Sequence, residues 1–228
     1  MRNLKIAGVA FALLIASSCG NKNNVNGSAT DTISYKATVV PNNPANKTIL
    51  FFGDSLTAGY GLDDHSEAFP GVIKARIDSL KLPYDVINSG VSGETTSGGL
   101  GRIDWILKQR VDIFMLELGA NDGLRGIPIQ QSESNLQTII DKVKAKYPQA
   151  KIVLLGMQIP PNMGAVYTHD FKNIFPALAA KNHLPLVPFL LAGVAGDPKL
   201  NQADGIHPTA AGAKIAAENV WKILAKQL

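Results

Sequence analysis

The feature that most constrains the fold of this chain is a repeated alternation of short apolar runs with helix-like stretches, which begins at Thr48 and continues to the C-terminus. Compact apolar runs of this kind are typical of parallel strands that are buried on both faces of a sheet. The runs that predict strands are Thr48–Phe52, Tyr84–Asn88, Val111–Leu118, Lys151–Met157 and Leu186–Phe189.

Apolar side chains at helical spacing lie between several of these runs and predict helices whose apolar faces cover the sheet. They form three stripes: Phe69, Val72, Ile73, Ile77 and Leu80; Leu136, Ile139, Ile140, Val143 and Tyr147; Ala213, Ala216, Ala217, Val220 and Leu224. This alternation predicts one doubly wound α/β domain over residues 47–228, with a five-stranded parallel sheet between two helical layers. Pro188 predicts that the last strand lies at an edge of the sheet, because proline cannot donate to a neighbouring strand.

Polar and glycine-rich segments follow the carboxyl ends of the predicted strands. In doubly wound sheets ligands bind beyond these ends, so the segments are expected to meet in a single site. They are Gly53–Thr57 after the first strand, Gly90–Thr96 after the second, Gly119–Gly123 after the third and Asp204–Pro208 beyond the fifth.

Residues 1–18 have the pattern of a secretory signal peptide, with Arg2 and Lys5 before an apolar stretch and small residues after it. The single cysteine, Cys19, directly follows the small residues, where bacterial lipoprotein signals are cleaved and the new N-terminal cysteine is acylated. We therefore predict a lipoprotein signal peptide that is removed on export, with Cys19 as the lipidation site. A plain signal peptide with an incidental cysteine is the alternative.

Residues 19–46 are rich in Asn, Ser, Thr and Lys and contain Pro41 and Pro44. A segment of this composition cannot bury enough apolar surface to offset its conformational entropy, so it predicts a flexible tether. The predicted product is an exported bacterial lipoprotein that contacts the membrane through its lipidated N-terminus.

The composition also excludes several classes of partner and site. The net charge is +4 and no run of five basic residues occurs, so no nucleic-acid partner is expected. One cysteine excludes an intramolecular disulfide and a thiolate zinc site, and no two histidines have the i, i+4 spacing of a helical metal site. The glycines from Gly90 to Gly101 fit neither a phosphate-binding nor a dinucleotide-binding motif, so we expect neither a metal nor a cofactor.

A serine, a histidine and an aspartate in the strand-end segments fit nucleophilic catalysis. Serine needs a base to take its proton, and the base is most often a histidine that a carboxylate orients. His207 precedes a proline, which disfavours helical conformation, so it is expected just outside the following helix. Asp204 lies three residues earlier and can accept the second imidazole N–H, with Ser55 as the nucleophile. The other histidines, His65, His169 and His183, are interpreted as surface or packing residues.

Acyl transfer also needs hydrogen-bond donors aimed at the oxygen that becomes negative. Ser55 is expected to open a helix or tight turn, which leaves its backbone N–H free to donate. Gly93 offers a second N–H, and the Asn121 side-chain amide offers a third donor, although the Asn-Asp-Gly sequence is also a strong turn signal. Glu117, inside the third strand, is a candidate catalytic carboxylate but is interpreted as a partnered structural acid.

These residues resemble the motifs of the SGNH (GDSL) hydrolase superfamily, over the whole length from Ile49 to the last helix. That family has a nucleophilic serine in a G-D-S-[LI] block, a glycine N–H donor in a second block, an asparagine in G-x-N-D, and Asp and His in D-x-x-H. Ser55, Gly93, Asn121, Asp204 and His207 stand in these positions and in this order. Within the superfamily the chain is most similar to the secreted bacterial thioesterase, lysophospholipase and arylesterase group.

The resemblance implies a flavodoxin-like three-layer α/β/α fold and a serine esterase that hydrolyses carboxylic ester or thioester bonds of acyl chains through an acyl-enzyme. It implies Ser55, Asp204 and His207 as catalytic residues, and Ser55, Gly93 and Asn121 as the oxyanion hole. Small acyl esters or thioesters are the expected substrates, with lysophospholipids among the candidates. The walls of an acyl pocket are expected from Leu124, Ile127, Ile159 and Pro160. The alternatives are a carbohydrate O-acetyl esterase that uses the same site and a non-catalytic lipid-binding lipoprotein.

Overall fold

The computed structural model describes residues 46–228. The predicted signal peptide, Cys19 and the predicted tether up to residue 45 lie outside the described residues. The strands are β1 (Lys47–Gly53), β2 (Tyr84–Gly90), β3 (Ile113–Glu117), β4 (Lys151–Leu155) and β5 (Leu186–Val187). The α-helices are α1 (Ser55–Ala58), α2 (Phe69–Ser79), α3 (Thr96–Ile106), α4 (Ala120–Leu124), α5 (Ile129–Lys146), α6 (Ala165–Asn182) and α7 (Ala210–Leu224).

The five strands form one parallel sheet in the order β2-β1-β3-β4-β5. This confirms the predicted five-stranded parallel sheet. The predicted strand Leu186–Phe189 shortens to the two residues of β5, which ends immediately before Pro188 and lies at the edge of the sheet. The edge position is as predicted, and the proline, which has no N–H to extend the ladder, ends the strand.

Helices cover both faces of the sheet, as the alternating pattern predicts. Helix α2 contacts α7, and α5 contacts both α3 and α6, so the two sets form the outer layers. The central strands β1 and β3 are buried along almost their whole length. Their apolar side chains on both faces join those of the helices in one core, which holds the strand ends in fixed positions.

The predicted helical stripes are buried with one clear exception. Phe69, Ile73 and Ile77 of α2 lie in the core, but α2 ends at Ser79 and Leu80 is 55 % exposed. Helix α6 had no predicted stripe, although Phe171, Ile174, Phe175, Leu178 and Ala179 bury one of its faces at helical spacing. In the described part of the chain, no helix combines the length and the apolar character needed to span a bilayer.

Candidate active site

Ser55 lies where β1 gives way to α1, at the carboxyl edge of the sheet. Asp54 caps α1, because its Oδ1 atom accepts a hydrogen bond of 3.0 Å from the Leu56 N–H. Ser55 is the first residue of this helix, so its own N–H has no carbonyl one turn earlier to donate to. The side chain is 8 % exposed and lies beside a cavity. The expected helix start at Ser55 is therefore confirmed.

Two hydrogen bonds connect Ser55, His207 and Asp204 in a series, which we call the relay. His207 Nε2 lies 2.8 Å from Ser55 Oγ, and His207 Nδ1 lies 2.6 Å from Asp204 Oδ2. In the tautomer with the hydrogen on Nδ1, the Ser55 hydroxyl donates to Nε2 and Nδ1–H donates to the carboxylate. The structure thus joins three side chains that are up to 152 residues apart in sequence.

The carboxylate of Asp204 is held in its ionised form. Partial burial favours the neutral acid, but hydrogen bonds from the backbone N–H groups of His207 and Ile206 and from the His207 ring outweigh it, and they lower the pKa of Asp204 to about 2. Both backbone N–H groups lie 3.0 Å from Oδ1, which leaves Oδ2 for the imidazole. Asp204 is therefore a charged acceptor at neutral pH.

The loop that carries His207 is anchored on both sides of the histidine. Helix α7 begins only after Pro208, and its cap is Thr209, so His207 lies outside the helix as the sequence predicts. An antiparallel bridge pairs Asn201 with Pro208 and closes the loop behind the imidazole. The Tyr60 ring packs against the His207 ring with centroids 4.7 Å apart. These contacts restrict the imidazole to a narrow range of positions near Ser55.

Two further strand-end residues reach the same cavity. Gly93 has a φ of 77°, a left-handed conformation that favours glycine, and its carbonyl accepts from Arg125 Nη2 at 3.1 Å. Asn121 lies in the first turn of α4, where its Nδ2 donates to the Glu94 carbonyl at 3.1 Å. Both line the cavity beside Ser55. The structure therefore brings together all five residues that the sequence motifs single out.

A buried carboxylate that the sequence did not single out holds the Asn121 turn in place. Asp122 is fully buried and accepts from the Thr96 N–H at 2.8 Å, the Thr96 hydroxyl at 2.5 Å and the Ser132 hydroxyl at 3.0 Å. These bonds connect α4 to the starts of α3 and α5. The aspartate of the G-x-N-D block is the only sequence signal for this role, and its partners are too distant along the chain to be inferred.

An ion pair supports the segment that contains Gly93. Arg102 in α3 donates to Glu94, with Nε–Oε1 at 2.6 Å, and also to the Ser89 carbonyl at 2.8 Å. The Glu94 side chain is only 6 % exposed, which makes this pair less screened by solvent than a surface salt bridge. The ion pair therefore fixes the loop between β2 and α3 from both ends.

A cavity of about 670 Å³ opens beside the relay. Leu124, Ile159 and Pro160 line it, as expected, but Ile127 does not. Gly126, with a φ of 65°, turns the chain after α4, and the Ile127 carbonyl accepts from the Tyr167 hydroxyl at 2.7 Å instead. The remaining apolar wall comes from residues that the sequence did not predict as pocket walls. These are Leu56, Ala120, Met157, Pro161, Phe189, Leu191, Ala195 and Ile206.

The other polar candidates lie outside this site. His65 donates from Nδ1 to the Ala58 carbonyl at 3.0 Å, His169 contacts Asp170, and His183 caps the end of α6. Within residues 46–228, no three His, Cys, Asp or Glu side chains are grouped as metal ligands.

The fold and this site together define a serine hydrolase with its nucleophile candidate at the first strand end. Residues 51–215 match the model of the GDSL-like Lipase/Acylhydrolase family, and the chain belongs to that family. This confirms the resemblance to SGNH hydrolases. The chain is accordingly an ester-hydrolysing serine hydrolase of the α/β class.

Relatives with known names support the same activity. The chain is 40 % identical over 181 residues to Esterase TesA of Pseudomonas aeruginosa, and the match covers 79 % of this chain and 89 % of that protein. It is 39 % identical over 182 residues to Thioesterase 1/protease 1/lysophospholipase L1 of Escherichia coli strain K12, covering 79 % and 83 %. The crystal structure of psychrotrophic esterase EstA from Pseudoalteromonas sp., inhibited by monoethylphosphonate, superposes with a TM-score of 0.75 at 32 % identity, covering 80 % and 98 %.

Proposed function

We propose that Ser55 is the nucleophile of this esterase and that His207 and Asp204 activate it. The Ser55 oxygen bonds to the ester carbonyl carbon while His207 Nε2 takes the hydroxyl proton. Asp204 keeps the imidazole in the productive tautomer and stabilises the imidazolium that forms. The 2.8 Å and 2.6 Å contacts of the relay support these roles, because a base must lie within hydrogen-bond reach of the proton that it removes.

Three donors are assigned to the oxygen that becomes negative: the N–H groups of Ser55 and Gly93 and the Asn121 side-chain amide. They come from three strand ends that the sheet holds rigidly. The imidazolium then gives its proton to the leaving oxygen or sulfur, and the carbon–heteroatom bond breaks to leave an acyl-enzyme. Water attacks this ester with His207 again as base, which releases the acid and restores Ser55.

The cavity supports an extended apolar acyl chain as the part of the substrate that is recognised. Most of its wall is apolar, and Ser55, beside which the acyl carbon must lie, is one of its lining residues. Each buried methylene contributes up to about 0.8 kcal/mol, which corresponds to a rise of up to about fourfold in kcat/KM. An acetyl group would fill only a small part of this space. Medium- to long-chain esters or thioesters, including lysophospholipids, are therefore the proposed substrates.

A series of p-nitrophenyl esters from acetate to dodecanoate tests this substrate class. We expect kcat/KM to rise with chain length until the cavity is filled. Ala195 lines the cavity, so Ala195→Trp should lower kcat/KM for long chains much more than for acetate. Ala192 is exposed on the same loop but does not line the cavity, and Ala192→Trp is the matched control.

A flat chain-length profile, or faster turnover of acetylated xylan than of octanoate esters, would contradict the acyl-chain proposal and favour the O-acetyl esterase. If Ala192→Trp lowered kcat/KM for long chains as much as Ala195→Trp, the loss would come from added bulk on the loop and not from filling of the cavity. A thioester series with acyl-CoAs of the same lengths separates the acyl preference from the leaving group.

Export and anchoring at Cys19 are also proposed. The support is the signal-like pattern of residues 1–18 with the cysteine directly after it. The chain enters the described fold at the amino end of β1, whereas the site lies at the carboxyl ends of the strands.

Detergent-phase partitioning and intact mass of the mature protein test the anchor. The expected result is a detergent-phase protein that begins at Cys19 and carries several acyl chains, because one chain gives only marginal membrane binding. Cys19→Ser should move the protein to the aqueous phase without changing its esterase activity. A wild-type protein without lipid, whose N-terminus is elsewhere, would contradict the proposal.

A further inference from the structure

Two carboxyl groups are buried side by side directly beneath the nucleophile. Asp54 precedes Ser55 and is fully buried, and Glu117 at the end of β3 is 1 % exposed. Glu117 Oε2 accepts from the Asp54 N–H at 3.1 Å and from the Thr57 hydroxyl at 2.8 Å. Glu117 Oε1 accepts from no N–H or O–H of the described residues, although it too is buried.

No cation among the described residues forms a salt bridge with either carboxyl. The groups that face Asp54 are Glu117 and, at longer range, the imidazole of His207. Arg102 Nη2 reaches the nearby Gly53 carbonyl at 3.4 Å, but its guanidinium is paired with Glu94. Two ionised carboxylates in contact, without a cation, would each carry an uncompensated buried charge.

Burial, followed by the charge of Glu117, raises the pKa of Asp54 well above its usual value. Burial also raises the pKa of Glu117, but hydrogen bonds from Thr57 and Asp54 oppose that rise. A single proton on the pair would remove one of the two uncompensated charges, and the hydrogen bonds that Glu117 Oε2 accepts favour Asp54 as the residue that carries it.

We propose that Glu117 is a positioning residue that keeps the Asp54 carboxyl neutral, so that no negative charge lies against the oxyanion donors. The proposal rests on the proposed function, since it assumes that Asn121 holds the oxyanion. Asp54 Oδ2 lies 3.3 Å from Asn121 Nδ2. An ionised Asp54 would hold the amide hydrogen strongly and repel the developing anion, whereas a neutral carboxyl does neither.

The location of the charge, and not its amount, is what matters in this arrangement. The wild-type pair carries one negative charge, on Glu117, which does not line the cavity. In Glu117→Gln the pair still carries one negative charge once Asp54 ionises, but the charge then lies beside Asn121. In the double variant with Asp54→Asn and Glu117→Gln the pair is neutral, and the introduced asparagine side chain matches the shape of the protonated acid.

The test compares kcat and KM of the wild type, Glu117→Gln and the double variant with Asp54→Asn, after thermal unfolding has shown that each is folded. At about pH 8, Glu117→Gln should lower kcat by about tenfold to about 100-fold with KM little changed, because the charge acts on the developing oxyanion. Its kcat relative to wild type should fall as the pH is raised and Asp54 ionises, and it should be closest to wild type at the acid end of the pH range. Asp54→Asn in the Glu117→Gln protein should restore most of the lost kcat.

An independent readout is the infrared carbonyl stretch of a protonated carboxylic acid, which wild-type protein should show at neutral pH and Asp54→Asn should lack. A merely structural Glu117 would lower kcat equally at every pH and would not respond to Asp54→Asn. A loss of kcat that is equal at every pH and unaffected by Asp54→Asn would overturn the proposal. So would a wild-type kcat in Glu117→Gln, and so would the absence of the infrared band from wild-type protein. Fluorophosphonate labelling of wild-type Ser55 tests the nucleophile separately, so the two proposals fail in different experiments.

Discussion

Replacement of Asn121 distinguishes a donor to the oxyanion from a residue that only shapes a turn. The side-chain Nδ2 donates to the Glu94 carbonyl at 3.1 Å and lies 3.3 Å from Asp54 Oδ2, so it has a structural role as well as a position beside Ser55. Loss of the structural hydrogen bond in Asn121→Ala should lower the free energy of unfolding by about 1 kcal/mol. Loss of a pre-organised oxyanion donor should lower kcat by about 10²–10³, or about 2.7–4 kcal/mol, with KM little changed.

The assay is kcat per active site, with active sites titrated by a fluorophosphonate that reacts slowly with each variant. Asn219→Ala is the matched control, because Asn219 donates to the Leu190 carbonyl at 3.1 Å and the Ala192 carbonyl at 2.9 Å, outside the cavity. It should lose stability to a similar extent and keep wild-type kcat. Asn121→Asp replaces a donor with a charged acceptor, so it should be at least as slow as Asn121→Ala. Wild-type kcat in both Asn121 variants would refute the assignment.

Three further predictions concern stability. The pKa of Asp204 is about 2 in the folded protein and about 3.9 in an unfolded chain, so the ionised carboxylate stabilises the fold. This contribution to stability is complete above about pH 4 and is lost as the pH falls through about 2. The Tm difference between wild type and Asp204→Asn should therefore disappear over that interval, and a constant difference would contradict the shift. In Gly123→Ala the new Cβ would lie 2.4 Å from Ile159 Cγ2 and 2.9 Å from the Phe171 ring, so chemical denaturation should show a loss of about 1–3 kcal/mol. Gly101 has open space around it, so Gly101→Ala should instead raise stability by about 0.5–1 kcal/mol.

The order of strands and helices could be predicted because the inner strands had to be apolar on both faces and each covering helix on one. The limits of that reasoning appear at particular residues. Leu80 fits the spacing of the α2 stripe, but the helix ends at Ser79 and Leu80 is exposed to solvent. The face of α6 that contains Phe171 and Phe175 has helical spacing, but Pro176 within the helix and a polar first half obscure it.

The candidate site residues could be predicted from the sequence, but the residues that hold them in place could not. Ser55, Asn121 and His207 lie in short motifs whose spacing is local, and the parallel sheet brings the strand ends together. Asp122 depends on hydroxyls of α3 and α5, and the Asp54–Glu117 pair depends on the register that places Gly53 opposite Glu117. Burial and proximity of this kind arise from tertiary packing, which no short motif encodes.

The acyl-enzyme can be observed directly by rapid quench of the wild-type protein with an ester that deacylates slowly, followed by intact mass and peptide mapping. The expected result is one added acyl group on the peptide that contains Ser55, which disappears on a longer time scale as product acid forms. Ser55→Ala should be folded and should gain no mass. Acyl transfer to Ser92, which also lines the cavity, or an acylated and active Ser55→Ala protein would contradict Ser55 as the nucleophile.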